Sequence, residues 1–485
     1  MKIIKPWIFS LILVCGMGTV MVSCGDSKST TVLPEPEPTP IDHNPQPEVV
    51  TPGKGYIEQA GLPDATLFLP AYPKQSDVDF IDDKLQWEWG KTQRSTARGT
   101  EARKHLRRSP DAVRIIMAQA LGLDTISDTT TPALAKLLVN TYWTGWHSAA
   151  TAKAGYLRPR PFVEMGEQPW IAADQADATG SFTSATTAAA WATAIIFAEM
   201  WPPLQNEILR QGYLFGEDRV ISGSNYQSDV NGGYLCGAAA AAQMHGNYLM
   251  KYDFKNARAE YIKLKGYNES YNPDEEAEDP VGAEILNPPV TTDSYRYEAD
   301  LKRYEYAKTF RGTPRGDQAI ADANTSFEHL SEVYGEALGI TVSQSETPHI
   351  YKLFEMIYPR SVEVANQLKW TYFRARPYVE LEETTPVPDD EDYERGSSSF
   401  ASGHTCLSWS IALMLAEAVP SRQNEILRRA YDFGYNRQIV GYHWATDIEA
   451  GRLLACTLVA HLHAEEAFTR QIILARVDYQ KAAGL

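Results

Sequence analysis

Positive charge is in short supply: 45 Lys and Arg stand against 62 Asp and Glu, a formal net charge of -17 over 485 residues. That balance excludes a nucleic-acid binder, whose surface must attract phosphates through counterion release. Cysteine is scarce too, with five residues in all. Two lie within the first 24 residues, and Cys236, Cys406 and Cys456 sit in alanine- or leucine-rich stretches. Three cysteines cannot all pair within one chain, so the sequence is no disulfide scaffold and these are expected to be buried free thiols. Apolar runs long enough to cross a bilayer are missing beyond the N-terminus. Period-two alternation is missing from the longest apolar runs, which removes the signal for strands.

The first residues read as a targeting segment. Lys2 and Lys5 precede an apolar run from Trp7 to Val22, short for a membrane span and suited to a signal peptide. It ends in Val22-Ser23-Cys24-Gly25, which resembles a bacterial lipobox and would make Cys24 the lipidated first residue of the mature chain. A plain secretory leader with an incidental cysteine is the alternative. The expectation is an exported protein, lipid-anchored in the bacterial cell envelope (periplasm or outer membrane), touching membrane only through that anchor.

Residues 1–23 are thus a leader. Residues 24–55 are a proline-rich, acidic tether, as in Pro34-Glu35-Pro36-Glu37-Pro38, whose composition cannot bury a core. A second break over 267–292 contains Asp274-Glu275-Glu276 and Asn287-Pro288-Pro289 and is read as a linker. It separates two halves, 56–266 and 293–485, that repeat each other. Gln205-Asn206-Glu207-Ile208-Leu209-Arg210 returns as Gln423-Asn424-Glu425-Ile426-Leu427-Arg428, an offset of 423 minus 205, or 218. Near-constant offsets over most of each half mean duplication of a whole domain. Thr186 to Met200, Cys406 to Val419 and Ala445 to Ala464 are helix-length apolar runs, expected at the centre of bundles. The fold class is all-α, in two tandem helical-bundle domains.

Three blocks in the second half converge on phosphate chemistry. In Lys369-Trp-Thr-Tyr-Phe-Arg-Ala-Arg376-Pro377, a helix would project Lys369 and Arg376 from one face, with Pro377 ending it. Two cations there could hold a phosphoryl group, although a basic helical face is commonly just solvated. Ser397-Ser-Ser-Phe-Ala-Ser402-Gly403-His404-Thr405 precedes an apolar helix whose N-terminus offers an anion site. By itself it is also a serine-rich helix cap beside an incidental histidine. In the third block, Arg437, His443 and Asp447 follow one another, the last two spaced as helix neighbours. A carboxylate bonded to one imidazole nitrogen would leave the other nucleophilic, although such a pair is often a structural contact.

Taken in order, the blocks resemble the signature of the type 2 phosphatidic acid phosphatase superfamily, which includes vanadate haloperoxidases. Arg374-Ala-Arg376-Pro377, Phe400-Ala-Ser402-Gly403-His404-Thr405 and Gly441-Tyr442-His443-Trp444 are similar to the class A bacterial non-specific acid phosphatases. Ala401 and Asn436 depart from that pattern, where proline and serine are usual. The resemblance implies that His443 attacks phosphorus, oriented by Asp447, and that His404 protonates the leaving group. It implies that Lys369, Arg376, Ser402, Gly403 and Arg437 hold the phosphoryl oxygens. It requires no metal or cofactor, and vanadate is expected to inhibit. Small phosphorylated molecules would be the substrates, and two histidines near pKa ~6.5 place optimum activity around that pH.

The first half keeps Lys153, Arg160, Ser184, Arg219 and Asp229 at matching positions, but has Thr186 for His404 and Asn225 for His443. Neither replacement can do the histidine's chemistry, so this half is expected to be a degenerate copy packed against the working one. Two rival readings remain open: a vanadate-dependent haloperoxidase, and a lipoprotein that only binds phosphorylated ligands. His245 and His463, which differ by 218, are expected to be packing or surface residues.

Overall fold

The computed structural model describes residues 52–171 and 180–485; the leader, Cys24 and residues 25–51 of the tether lie outside the described residues. Among the described residues all regular structure is helical, as the lack of alternation required. The principal helices of the first half are α1 (Phe80–Gln93), α2 (Pro132–His147), α3 (Ala185–Met200), α4 (Gln205–Ser222), α5 (Gln227–Met244) and α6 (Tyr248–Leu264). Those of the second are α7 (Tyr297–Lys308), α8 (Pro348–Thr371), α9 (Pro388–Arg395), α10 (Gly403–Ala418), α11 (Gln423–Ile439), α12 (Ala445–Leu462) and α13 (Glu466–Ala482). Apart from α9, each starts 216 to 218 residues after its counterpart, as 403 minus 185 shows for α10 and α3.

The starts follow from local chemistry. Pro132 and Pro348 occupy first-turn positions where their missing N–H costs nothing. Ser184 and Ser402 cap α3 and α10, each hydroxyl accepting a hydrogen bond three residues on. Every residue of α3 is buried, so a helix apolar on all faces is central to the bundle. Among the described residues no helix is long and apolar enough to cross a membrane.

Both halves feed one hydrophobic core. Helix α5 lies on α10 and α12, and α3 on α12. Gln243 donates across the junction to the Ala416 carbonyl at 2.9 Å, and Arg296 pairs with Asp82 at 2.6 Å and Glu449 at 3.1 Å. Residues 267–292 are packed along this junction. Ile285 and Leu286 are buried, and a Cβ at Gly282 would strike Leu368 at 2.8 Å.

His245 and His463 are neither surface residues nor ordinary packing. Their rings stack across the junction at 3.8 Å, enclosed by Glu199 and Glu417. His245 contacts Glu199 at 2.8 Å and Glu417 at 3.2 Å, and His463 contacts Glu417 at 2.8 Å. The donor atoms of Glu199, His245 and His463 lie within 4.8 Å of one another, a His/carboxylate grouping that the sequence reading did not find. The rings are nearly parallel and each bonds a carboxylate directly, whereas a shared metal would have to lie in both ring planes.

Burial alone would lower His245, but Glu199 and Glu417 outweigh it and raise it to about 10. Glu417, in spite of burial, is held well below the usual carboxylate range by His245 and His463. A raised histidine stabilises fully below its unfolded value of ~6.5, and that contribution is lost as pH climbs through the folded value. The melting temperature should therefore fall by roughly several degrees between pH 7 and 10. A Glu199→Gln/Glu417→Gln variant should show a flatter decline in scanning calorimetry.

Candidate active site

The second half carries a cavity of about 1320 Å³ lined by Lys369, Glu394, Ser397, Gly403 and His404, with Trp370 and Phe373 at its edge. Four segments deliver its groups. The first departs from expectation: Lys369 and Arg376 do not share a helix. Helix α8 stops at Thr371, and Tyr372 is already extended, at φ -128° and ψ 117°. Thr371, Tyr372 and Phe373 are β-branched or aromatic and lose side-chain freedom in a helix. Pro377 then begins a new turn, Pro377–Glu380, instead of ending one. The break lets the chain double back, so that both cations still face one site.

Arg376 is buried. Its guanidinium donates to the Tyr442 carbonyl at 2.9 Å, to Ser397 Oγ at 2.7 Å and to the Glu394 carbonyl at 2.9 Å, and it pairs with the Glu394 carboxylate. Its Nη1 also lies 3.3 Å from His443 Nε2. Lys369 is pushed down to about 8 by burial and by Arg376, a sign of uncompensated positive charge. Arg437, at the end of α11, is buried and donates to the Ala319 carbonyl at 2.6 Å.

Ser402 and Gly403 open α10. A Cβ on Gly403 would meet only the Ala365 methyl, at 3.7 Å. Protein packing does not demand glycine there; the space it leaves belongs to the cavity. His404 follows, its Nε2 donating to the Ala323 carbonyl at 3.0 Å. Burial, then the nearby Arg437, push it down to about 3.

His443 is 1% exposed. Its Nδ1 donates to the Ser399 carbonyl at 2.7 Å, which leaves Nε2 with its lone pair facing Arg376. Burial, Arg376 and Lys369 hold it well below its ordinary value, so it is neutral. The expected carboxylate partner is not the one bonded: Asp447 Oδ2 stands 3.9 Å from Nδ1. Asp447 instead accepts from the Trp444 amide at 2.9 Å, capping α12, and pairs with Arg374 at 2.5 Å. Arg374 in turn holds Asp300 of α7 at 2.7 Å. Asp447 therefore fixes the strand of chain that carries His443, and a backbone carbonyl sets the tautomer. Asn436 bonds Asp322 at 2.6 Å, a use for its departure from serine.

The first half repeats the frame with Asn225 and Thr186 where the second has His443 and His404. Arg158 joins Asp83 at 2.7 Å and Asp229 at 2.6 Å, just as Arg374 joins its two carboxylates. Asp229 caps α5 through the Tyr226 amide, although no histidine precedes it. Persistence of the same bonds without a nucleophile marks the aspartate as structural in both halves. Asn225 donates to the Ser181 carbonyl at 2.8 Å, the bond that His443 makes to Ser399. Ser184 donates to Asn225 at 3.3 Å, Arg160 to the Ser224 carbonyl at 2.6 Å and Arg219 to the His105 carbonyl at 2.6 Å. Lys153 reaches the Gly180 carbonyl. Thr186, Ser184, Asn225, Arg160 and Arg219 are all at most 5% exposed, as deeply buried as Arg376, Ser402, Arg437 and His443 in the second half.

Sequence reasoning missed Glu394, Ser397 and Ser399 as members of the site. Cys236, Cys406 and Cys456 are buried free thiols, as expected.

A family model described as the PAP2 superfamily matches residues 133–253 and again 355–467. A non-specific acid phosphatase of Providencia stuartii is 33% identical over 198 residues, 41% of this chain and 80% of that protein. One from Salmonella typhimurium is 31% identical over 212 residues, covering 43% and 85% respectively. An acid phosphatase of Zymomonas mobilis is 30% identical over 197 residues, covering 41% and 75%. One such relative is thus matched by less than half of this chain, as a duplicated domain requires. Two matched regions and relatives at 30–33% identity, each covered over three quarters or more of its length, place the chain in the PAP2 superfamily, among the non-specific acid phosphatases.

Proposed function

We propose that the protein is an exported phosphatase that hydrolyses small phosphate monoesters through a phosphohistidine on His443, with all chemistry in the second half. The observation that carries this reading is the asymmetry of the two copies. Lys369 and His404 line an open cavity and His443 keeps the Nε2 lone pair beside Arg376, whereas Asn225 and Thr186 occupy the matching positions in the other copy. The names of the relatives support the reaction class.

Phosphoryl transfer asks mainly for positioning and for stabilisation of spread negative charge. Lys369, Arg376, Arg437, the Ser402 hydroxyl and the Gly403 amide supply five donors for the equatorial oxygens. Nε2 of His443 attacks phosphorus as the bond to the ester oxygen breaks. Without substrate, His404 is pushed down to about 3 and His443 is held well below its ordinary value, so both are neutral and the departing alkoxide needs a proton that arrives with the substrate. A monoester monoanion brings one on its phosphoryl group. Passed through His404, it leaves as the alcohol, and the enzyme keeps a phosphohistidine with the same total charge. Water activated by His404 then releases phosphate.

The optimum consequently moves below the ~6.5 expected from free imidazoles. Phosphate monoesters take up their second proton near pH ~6, so kcat/KM should be flat below that value. Above it, kcat/KM should fall about tenfold per unit. A p-nitrophenyl phosphate profile across pH, with chelator and with orthovanadate, tests this. Chelator-resistant, vanadate-inhibited turnover is expected. Bromide oxidation by vanadate-loaded protein would favour a haloperoxidase, and folded protein without turnover at any pH would leave a binding lipoprotein. Export and anchoring rest on residues 1–25 alone. The same assay on cell fractions should find activity with membranes, and free of them in Cys24→Ala.

A further inference from the structure

The phosphate cradle already contains an anion. The carboxylate of Glu394, on α9, pairs with the Arg376 guanidinium and accepts from Ser397 Oγ at 2.8 Å. It is 17% exposed and lines the cavity beside Lys369, Gly403 and His404. The titratable groups facing it come from the neighbouring segments: the charged Arg376 before Pro377–Glu380 and Lys369 on α8, and the neutral His404 on α10. On its own helix, Arg395 and Glu391 are paired with each other. No residue of the proposed reaction needs this carboxylate.

Two negative groups cannot share Arg376 cheaply. A phosphate oxygen held by that guanidinium comes within van der Waals reach of Glu394, where like charges repel by several times the thermal energy even at an effective dielectric near ~20. A proton between them converts repulsion into a hydrogen bond, with P–OH donating and the carboxylate accepting. We propose that Glu394 is a specificity-determining residue that selects the singly charged, monoprotonated phosphate group over the dianion. The inference rests on the phosphatase reading of the cavity. Glu394 fills the anion place in the empty site and becomes the hydrogen-bond acceptor of P–OH in the filled one. The depressed pKa of Glu394, held down by Arg376 and Lys369 against its burial, keeps it ionised and ready to accept. The selected ionic form is also the one that carries the proton the leaving oxygen requires.

Binding of phenylphosphonate, which like a monoester carries one P–OH as its monoanion and none as its dianion, measured by titration calorimetry from pH 5 to 8, decides the matter without requiring turnover. In the wild-type protein the Kd should rise steeply as the phosphonate loses its second proton. In Glu394→Gln, whose amide repels nothing, Kd at pH 8 should be at least ~10-fold lower than wild type. At pH 5 the two should agree within roughly threefold. Glu391→Gln, one turn earlier on the same helix, should follow the wild type, and near-UV circular dichroism should match for all three. Equal Kd profiles for wild type and Glu394→Gln would overturn the proposal. So would a uniform tightening at every pH, which would make Glu394 only a competing internal anion. Failure of p-nitrophenyl phosphate turnover alongside intact, pH-selective phenylphosphonate binding would sink the phosphatase reading and leave this selection standing. No phenylphosphonate binding at any pH would sink both.

Discussion

His443→Ala should lower kcat/KM for p-nitrophenyl phosphate by on the order of 10⁴-fold or more, while Asn225→Ala should change it less than about twofold. The size of the first effect follows from the role. His443 Nε2 is the one imidazole nitrogen with its lone pair directed at Arg376, while Nδ1 is committed to the Ser399 carbonyl. Removing it deletes the atom that bonds to phosphorus, and no neighbouring side chain can substitute. The smallness of the second follows from chemistry: an amide is no nucleophile for phosphorus, and Asn225 spends its nitrogen on the Ser181 carbonyl. Steady-state rates for the two variants, with circular dichroism to verify folding, check the pair together.

Arg374→Met should cost about 3–5 kcal/mol of stability, because it strands the buried carboxylates of Asp300 and Asp447. Arg158→Met in the first half should cost a similar amount, since Asp83 and Asp229 are held in the same way. Burial raises both Asp447 and Asp83, the latter to about 6, so each arginine works against a strong tendency of its carboxylates to protonate. Denaturant titrations read the losses, and the shared core predicts a single transition for either variant. The activity consequences should differ. Arg374→Met loosens the cap that positions His443, whereas Arg158→Met acts only through global stability. A loss below about 1 kcal/mol in both would mean that the two arginines are not the clamps described here.

Much of this was legible in the chain. Offsets near 218 gave the duplication, and apolar runs located α3, α10 and α12 to within a few residues. Of the residues that the sequence groups into one site, Lys369, Gly403 and His404 line one cavity, and Arg376 lies against His443. What escaped depends on contacts between distant segments. The break after Thr371 hides in a stretch whose spacing suits a helix, because extended chain that doubles back can also bring Lys369 and Arg376 together. Asp447 was paired with His443 on spacing, but the carboxylate is claimed by Arg374 and a backbone amide, and Arg374 was quoted only as motif text. Ser399 acts through its carbonyl, which no side-chain pattern can announce. Glu394 follows an acidic run, Asp389-Asp390-Glu391-Asp392, that reads as solvated loop, and only α9 turns its carboxylate onto Arg376. His245 and His463 acquire meaning only because two repeats fold face to face.

The measurement closest to the central claim is rapid acid-free quenching of the enzyme with a phosphorylated substrate, followed by peptide mapping of the phosphoryl group. The account predicts an acid-labile, alkali-stable phosphoryl group on the peptide containing His443, absent from His443→Ala and unchanged in Asn225→Ala. Turnover with no histidine-bound phosphoryl group, or a label in residues 56–266, would contradict it.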